Sequence, residues 1–247
     1  MPFTLLSLLF APGGRPVADQ VEELGRRTGA FAVSHRPAEG EGWLELLVNG
    51  LTFDVRGLGP AAEADPFVFV HRYALPNTCD PAALDAVTLS PGAHLAGAEA
   101  MMPVVRAAAG LAAALTGLAG CEAVGWRPAR TVAGAAHFRN AVDAWLGGGA
   151  FPALGLTALT RAESGSLRSE GLDFLIGREF VLRPSGASPA DDAKLAIRLI
   201  DLLVQRRMGE GATTMQAMPG VTVLITDDHE QRIVCAERVE EAERATR

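Results

Sequence analysis

The sequence has little basic charge and almost no lysine. Of its 22 basic residues only Lys194 is a lysine, and 29 acidic residues bring the formal net charge to −7. Proteins that bind nucleic acids carry clustered basic residues that neutralise phosphates, whereas the arginines here are scattered along the chain. The composition therefore argues against nucleic-acid binding, and we interpret the preference for arginine as a compositional bias.

Cysteine is also scarce. Cys79, Cys121 and Cys235 are odd in number and far apart, which argues against a disulfide framework and favours a reducing compartment. The apolar segment 1–10 has no basic stretch before it, and the longest weakly charged run, 101–121, is mostly alanine and glycine. Neither segment has the pattern of a signal peptide or a membrane span. We expect a cytoplasmic protein without a membrane partner.

Motifs of the common metal and nucleophile chemistries are missing. The sequence has no closely spaced cysteine pair, no His-Glu-x-x-His, no Gly-x-Ser-x-Gly and no glycine-rich phosphate loop. Asp227-Asp228-His229-Glu230 offers four potential metal ligands in a row, but consecutive residues at a hairpin tip point in divergent directions, which favours a plain polar turn. We therefore expect neither a metal site nor a cofactor.

The N-terminal part of the chain has the pattern of a strand, a helix and a hairpin. The apolar segment 1–10 predicts the strand, and a helix with Val21 and Leu24 on one face is predicted to end at Gly29. The hairpin is predicted from Asn49-Gly50, because this pair lies between two runs of alternating apolar residues and favours a type I′ turn.

Residues 75–92 contain several prolines, with a short helix predicted around 82–86, and this stretch is the best candidate for the boundary between two halves of the chain. The remainder alternates short strands with helices. The patterns predict strands at 94–98, 121–126 and 179–183, helices at 102–118, at 134–146 and after the N-cap Ser188, and hairpins around 162–166 and from 221–226 with 231–235.

This mixture of helices and hairpins predicts an α+β fold with mixed, largely antiparallel sheets and packed helices. Two ferredoxin-like halves are the preferred arrangement. They would be an N-terminal βαββ half at 1–90 and a C-terminal α+β half at 91–236, followed by a charged tail at 237–247. One compact domain overall is the alternative, and no internal repeat supports a duplication.

The best candidate for a site is the loop after the strand at 121–126. Ligands of sheet proteins often lie beyond the carboxyl ends of strands and near helix N-termini. Arg127 and Arg130 would suit an anion there. Trp126 would stack on a planar group, and His137 lies at the start of the next helix. The alternative is that Trp126 belongs to the core and the other three residues lie on the surface.

A thiol–imidazole pair is the one nucleophile that this region offers. Cys121 begins the strand, and His137 belongs to the helix after it. Residues at a strand start and at the start of the following helix usually lie at opposite ends of a sheet. We therefore predict that Cys121 is a small buried residue and not a nucleophile.

Several segments of the chain occur together in a known family. They are a long apolar helix after a short strand, Gly125-Trp126, His137-Phe138, the segment 151–156, Ser169-Glu170-Gly171-Leu172 and the strand at 179–182. With the N-terminal βαββ pattern, they resemble a bacterial family defined by a domain of unknown function. The resemblance spans most of the chain, but its motifs are structural, and it implies no activity, cofactor or catalytic residue.

Two main functions are compatible with these patterns. The preferred one is a binding module without catalytic activity, whose partner is another protein or a small anionic ligand. The alternative is an enzyme that acts on an anionic small molecule through His137 with Arg127 or Arg130. A third interpretation is a component of a larger assembly that is stabilised through an exposed sheet edge. The patterns do not predict an oligomeric state.

Overall fold

The protein, described here by a computed structural model, consists of two compact units, Met1–Leu156 and Thr157–Arg247. The structure describes residues 3–38, 40–60, 67–205, 211–228 and 230–239. Each unit has its own sheet, and both sheets are mixed and largely antiparallel, so the α+β class is confirmed. The sequence placed a boundary near residue 90, but strands from both sides of that position join one sheet.

The first unit is an eight-stranded sheet with helices. Its strands are β1 (Leu6–Phe10), β2 (Ala32–His35), β3 (Trp43–Val48), β4 (Leu51–Arg56), β5 (His71–Tyr73), β6 (Asp85–Pro91), β7 (Cys121–Trp126) and β8 (Thr131–Gly134), in the spatial order β2-β3-β4-β6-β1-β7-β8-β5. Its helices are α1 (Ala18–Thr28), α2 (Met102–Leu115), α3 (Ala135–Leu146) and the single irregular turn α4 (Ala153–Leu156).

The two faces of this sheet differ in what covers them. α2 contacts β1 and β6, and α3 contacts β7 and β8. On the other face, Leu9 and Val132 pack against Phe69 and Leu75 from the segment between β4 and β6. Because side chains alternate along a strand, Leu6 and Leu8 face away from Leu9, towards the helices. We call the two sides the helix face and the loop face.

Several predicted elements of the first unit are confirmed. β3 and β4 form the hairpin, with Asn49 at φ 53° and Gly50 at φ 79°, as a type I′ turn requires. α1 buries Val21 and Leu24 and ends at Gly29, whose φ of 66° is the left-handed conformation typical of a helix end. The predicted strand at 121–126 and the helices at 102–118 and 134–146 correspond to β7, α2 and α3.

Two predictions in the first unit are wrong. The stretch 75–92 does not separate two halves, because its second part forms β6, which lies between β4 and β1 in the middle of the sheet. Its prolines flank this strand: Pro81 begins a short 3₁₀ turn and Pro91 is the last strand residue. The predicted strand at 94–98 is instead another 3₁₀ turn, Ala93–Leu95.

In its described residues, the second unit is a six-stranded sheet with two helices. Its strands are β9 (Ala158–Arg161), β10 (Leu167–Glu170), β11 (Glu179–Leu182), β12 (Ala212–Met218), β13 (Val221–Asp228) and β14 (Ile233–Val239), in the order β12-β13-β14-β11-β10-β9. Its helices are α5 (Leu172–Ile176) and α6 (Pro189–Gln205). The sequence predicted every strand here except β12. Residues 240–247 of the predicted tail lie outside the described residues, whereas 237–239 belong to β14.

α6 begins as its sequence predicts. The Ser188 hydroxyl accepts a hydrogen bond from the Asp191 amide at 3.2 Å and donates one to the Asp191 carboxylate at 2.7 Å, which satisfies a free N–H of the first turn.

None of the helices in the described parts of the chain is long and apolar enough to cross a membrane. The ferredoxin-like description of the two halves stays a prediction.

Candidate functional site

Trp126 belongs to the core. Only 1% of its surface is exposed, and its pairing with Leu6 of β1 places it on the helix face. A side chain in this position has no free ring face to offer a ligand. The structure therefore supports the core alternative for Trp126 rather than the stacking role.

Arg127 and Arg130 lie at the two ends of one tight turn. This turn connects β7 to β8, and the Arg130 N–H donates a hydrogen bond to the Arg127 carbonyl at 3.0 Å. Arg130 is exposed and has a φ of 49°. The sequence pattern missed β8, so that a loop leading to a helix was predicted where the structure has a β-hairpin.

His137 is not near this turn. β8 runs from Thr131, beside the turn, to Gly134, which pairs with Ala123 at the other end of the hairpin. Three residues of strand span about 10 Å. Since α3 begins directly after Gly134, the exposed His137 lies at the far end of the hairpin from Arg127. The structure thus brings two of the four predicted site residues together and leaves Trp126 and His137 elsewhere.

Cys121 does not have the properties of a nucleophile. Burial raises the pKa of its thiol to about 12, and its Sγ lies 3.8 Å from the carbonyl oxygen of Ala123. The thiolate is the reactive form of cysteine, and almost none is present at neutral pH when the pKa is this high. The raised pKa supports the predicted inert role, which stays a prediction, since Cys121 is only partly buried and β8 brings the start of α3 to the same end of the hairpin.

The Arg127 side chain turns back over the loop face. Its Nε and Nη2 atoms each lie 3.1 Å from Oγ of Ser7 in β1. Its guanidinium carbon lies 4.7 Å from the centre of the Phe67 ring, a cation–π distance. Its backbone N–H donates to the Leu5 carbonyl at 3.1 Å. These contacts fix a half-buried positive charge above the middle of the sheet.

A row of polar side chains crosses the loop face beside Arg127. Arg56, Thr88 and Ser7 lie opposite one another on β4, β6 and β1, and we call these three residues the polar row. Ser7 is 1% exposed and Thr88 is 8% exposed. Hydroxyl groups are seldom buried in the central strands of a sheet without a reason. Within the described parts of the chain the Thr88 hydroxyl has no hydrogen-bond partner.

The Arg56 end of the polar row is held by its neighbours. Arg56 donates from Nη2 to a carboxylate oxygen of Asp54 at 2.9 Å, and its guanidinium carbon lies 4.7 Å from the Trp43 ring centre. The Arg56 Nε atom is buried and has no hydrogen-bond partner among the described residues. In the described residues, the loop face therefore places the Ser7 and Thr88 hydroxyls between two arginines, of which Arg56 is paired with Asp54 and Arg127 with Ser7.

The segment after residue 66 covers one side of this polar surface. Val70 and His71 both donate their backbone N–H groups to the Arg130 carbonyl, at 2.8 and 3.1 Å. The Phe67 and Phe69 rings lie 5.0 Å apart. Phe69 rests on Gly125, where a Cβ atom would overlap its ring. Ser7 and Phe67 were not predicted as site residues, because they lie 120 and 60 residues from Arg127 in the sequence. The local indication was a serine within an otherwise apolar strand.

The surroundings of Ser7 do not suggest catalysis. A serine nucleophile needs a base within hydrogen-bond reach, but the Ser7 hydroxyl accepts its hydrogen bonds from a guanidinium, which cannot take up a proton. His71 of β5 lies three strands from β1, about 14 Å at the usual strand spacing. No group of three metal-ligating side chains occurs among the residues that the structure describes.

The second unit contains a carboxyl group, that of Glu179, whose surroundings favour its protonated form. Glu179 accepts hydrogen bonds from the Gly171 N–H at 2.7 Å and from the Ser169 hydroxyl. Burial raises the pKa of the Glu179 carboxyl above its usual value, and the nearby Asp173 carboxyl adds to the increase. Both hydrogen bonds oppose this increase, so desolvation is the dominant effect.

We expect Glu179→Gln to change the pH dependence of stability. A raised pKa means that the folded protein binds the Glu179 proton more tightly than the unfolded chain does. The stabilisation is complete below the usual pKa of 4.5 and is lost as the pH rises through the folded value. The free energy of unfolding of the wild type should therefore fall relative to that of Glu179→Gln between pH 4 and neutrality.

Urea denaturation at a series of pH values measures this difference, which is at most about 1.4 kcal/mol per pH unit for one proton. Glu163→Gln is the control, because Glu163 is exposed at the tip of the β9–β10 hairpin. Its curve should run parallel to that of the wild type. A Glu179→Gln curve that also ran parallel would contradict the raised pKa.

Comparisons with known proteins add no assignment. No protein-family model matches the chain, and neither a curated protein nor a solved structure shows significant similarity to it. The bacterial family that the sequence resembles therefore stays an expectation, and the functional argument depends on the geometry of the loop face.

Proposed function

We propose that the protein is a binding module without catalytic activity, and that its ligand is a small anion held on the loop face of the first unit. The observation that carries this proposal is the position of Arg127, whose guanidinium is fixed by the Ser7 hydroxyl and the Phe67 ring. A cation held in place in advance loses little side-chain entropy when it binds a ligand.

The chemistry of the polar row supports an anionic ligand. Ser7 and Thr88 supply hydroxyl groups. Arg56, which is also paired with Asp54, supplies a second guanidinium two strands from Ser7. Adjacent strands are about 4.8 Å apart, so that Arg56 and Ser7 are about 10 Å apart at their Cα atoms. This spacing suits a phosphate or carboxylate group that accepts hydrogen bonds from Arg127 and the hydroxyls. Charge-assisted hydrogen bonds to oxyanions are among the strongest in proteins.

The absence of an activated nucleophile favours binding over turnover. Among the described residues, Ser7 has no base beside it and Cys121 has a raised pKa. The enzyme alternative relied on His137 beside Arg127, and the β7–β8 hairpin separates these two residues.

Titration calorimetry with inorganic phosphate tests the proposal. We expect the wild type to bind phosphate and Arg127→Ala to bind it about 10- to 100-fold more weakly, because a hydrogen bond to a charged group contributes about 1.5–3 kcal/mol. Arg130→Ala is the matched control, since it removes an arginine from the other end of the same turn. Its affinity should stay within about twofold of the wild type.

Two results would contradict this proposal. The first is that the wild type binds neither phosphate nor citrate, the carboxylate probe, at millimolar concentration. The second is that Arg130→Ala loses affinity and Arg127→Ala retains it, which would place the anion on the exposed side of the turn. Thermal denaturation without ligand must accompany both variants, because Arg127 also contacts Ser7.

A further inference from the structure

The four sheet edges in the described parts of the chain are not equally protected. Natural edge strands avoid pairing with other chains by being short or by carrying charge. β2 has four residues and ends in His35, β5 has three and includes His71 and Arg72, and β9 has four and ends in Arg161. β12 differs from all three: it has seven residues, ATTMQAM, and none is charged.

β12 is also exposed along most of its length. On one side it pairs with β13, from Ala212 opposite Thr226 to Gln216 opposite Thr222. Four of its first five residues are exposed: Ala212, Thr213, Thr214 and Gln216. The pairing shifts between Gln216 and Met218, so the regular part of the edge is 212–216. Among the described residues, no hydrogen bond joins the outer side of this segment to the rest of the chain.

We propose that β12 pairs with β12 of a second copy of this chain, antiparallel and about a two-fold axis at Thr214. In this register Thr214 faces Thr214, Thr213 faces Met215, and Ala212 faces Gln216. Each of these pairs is uncharged, so no like charges meet across the axis. Directly opposed threonines stabilise an antiparallel pair.

A second copy suits this edge better than an unrelated chain. The strand has no charge with which to select a charged partner, whereas a two-fold axis makes one patch complementary to itself and closes the assembly at two subunits. The pairing would join two six-stranded sheets through main-chain hydrogen bonds. Because the pairing involves only the five-residue segment 212–216 of each copy, we expect the dimer to be weak and to form at high protein concentration.

Sedimentation equilibrium of the full chain, from micromolar to millimolar concentration, tests this pairing. We expect the wild type to dimerise across this range. Thr214→Lys should raise the dissociation constant about tenfold or more, because it places two lysines opposite each other on the axis. Thr160→Lys is the matched control: it makes the same change at an exposed threonine of β9, the other edge of the same sheet, and should dimerise like the wild type.

A mixing experiment separates this register from a general loss of solubility or folding. Thr214→Lys and Thr214→Glu should each be largely monomeric alone, and an equimolar mixture should dimerise again, because lysine then faces glutamate across the axis. A wild type that stays monomeric at millimolar concentration would overturn the proposal. So would a dimer that Thr214→Lys leaves unchanged, or a mixture that stays monomeric while circular dichroism shows both variants folded.

Discussion

Replacing Trp126 with alanine is expected to lower the free energy of unfolding by about 3–5 kcal/mol, the usual cost of truncating a buried tryptophan. Trp126 is 1% exposed and lies on the helix face of β7, next to β1 and β8. Neither strand can move inward to fill the space, because each is paired with a neighbouring strand on both sides. Urea denaturation followed by circular dichroism measures the change.

Trp43→Ala is the matched control for this prediction. Trp43 is partly exposed on β3 and lies under the Arg56 guanidinium, so its removal leaves no closed cavity and should cost clearly less. Trp126→Phe should retain phosphate affinity, because position 126 faces away from the loop face. A stable Trp126→Ala variant with weakened phosphate binding would instead show that Trp126 is a ligand residue.

Gly125→Ala is expected to destabilise the protein by about 1–3 kcal/mol, the usual cost of overpacking. A Cβ atom at this position would overlap the Phe69 ring, which packs on the glycine. The ring would have to move, and Phe67 beside it would move as well. Because Phe67 supports the Arg127 guanidinium, we also expect weaker phosphate binding, measured by titration calorimetry.

Gly110→Ala is a control for which we expect no loss of stability. Gly110 lies within α2, and a Cβ atom there would meet only the end of the Leu146 side chain, at 2.9 Å. That methyl group can rotate away, and alanine is favoured over glycine in a helix by up to about 1 kcal/mol. The variant should therefore be as stable as the wild type or more stable. Equal destabilisation by the two substitutions would show that the Phe69 contact is unimportant.

The sequence predicted those elements whose signals are local. Asn49-Gly50 specified a turn, Gly29 a helix end and Ser188 a helix start, because each depends on the backbone conformation of a few neighbouring residues. β6 was not predicted because Pro81 lies shortly before it and Pro91 is its last residue. The alternation of Val87, Thr88 and Leu89 nevertheless suits a strand that lies between two others. β12 was not predicted because its sequence, ATTMQAM, is only weakly apolar and has no clear alternation of apolar and charged residues.

The candidate site was only partly predictable, for a non-local reason. The sequence shows two arginines directly after β7, and the structure places both in one turn there. β8 was not predicted, because a strand of four residues is too short to recognise. Without β8, the start of α3 was placed at the wrong end of the hairpin, together with His137. The contact between Ser7 and Arg127 joins residues 120 positions apart. It follows from the pairing of β1 with β7, which no local pattern specifies.

The most direct test of the central claim is to locate the bound anion. Phosphate is titrated into ¹⁵N-labelled protein, and the backbone amides and arginine Nε–H groups are followed by NMR. We predict that the largest chemical-shift changes occur at Ser7, Thr88, Gly125 and the Arg127 Nε–H, which lie on the loop face. Shifts confined to His137 and the first turn of α3, or to no residue at all, would contradict the claim.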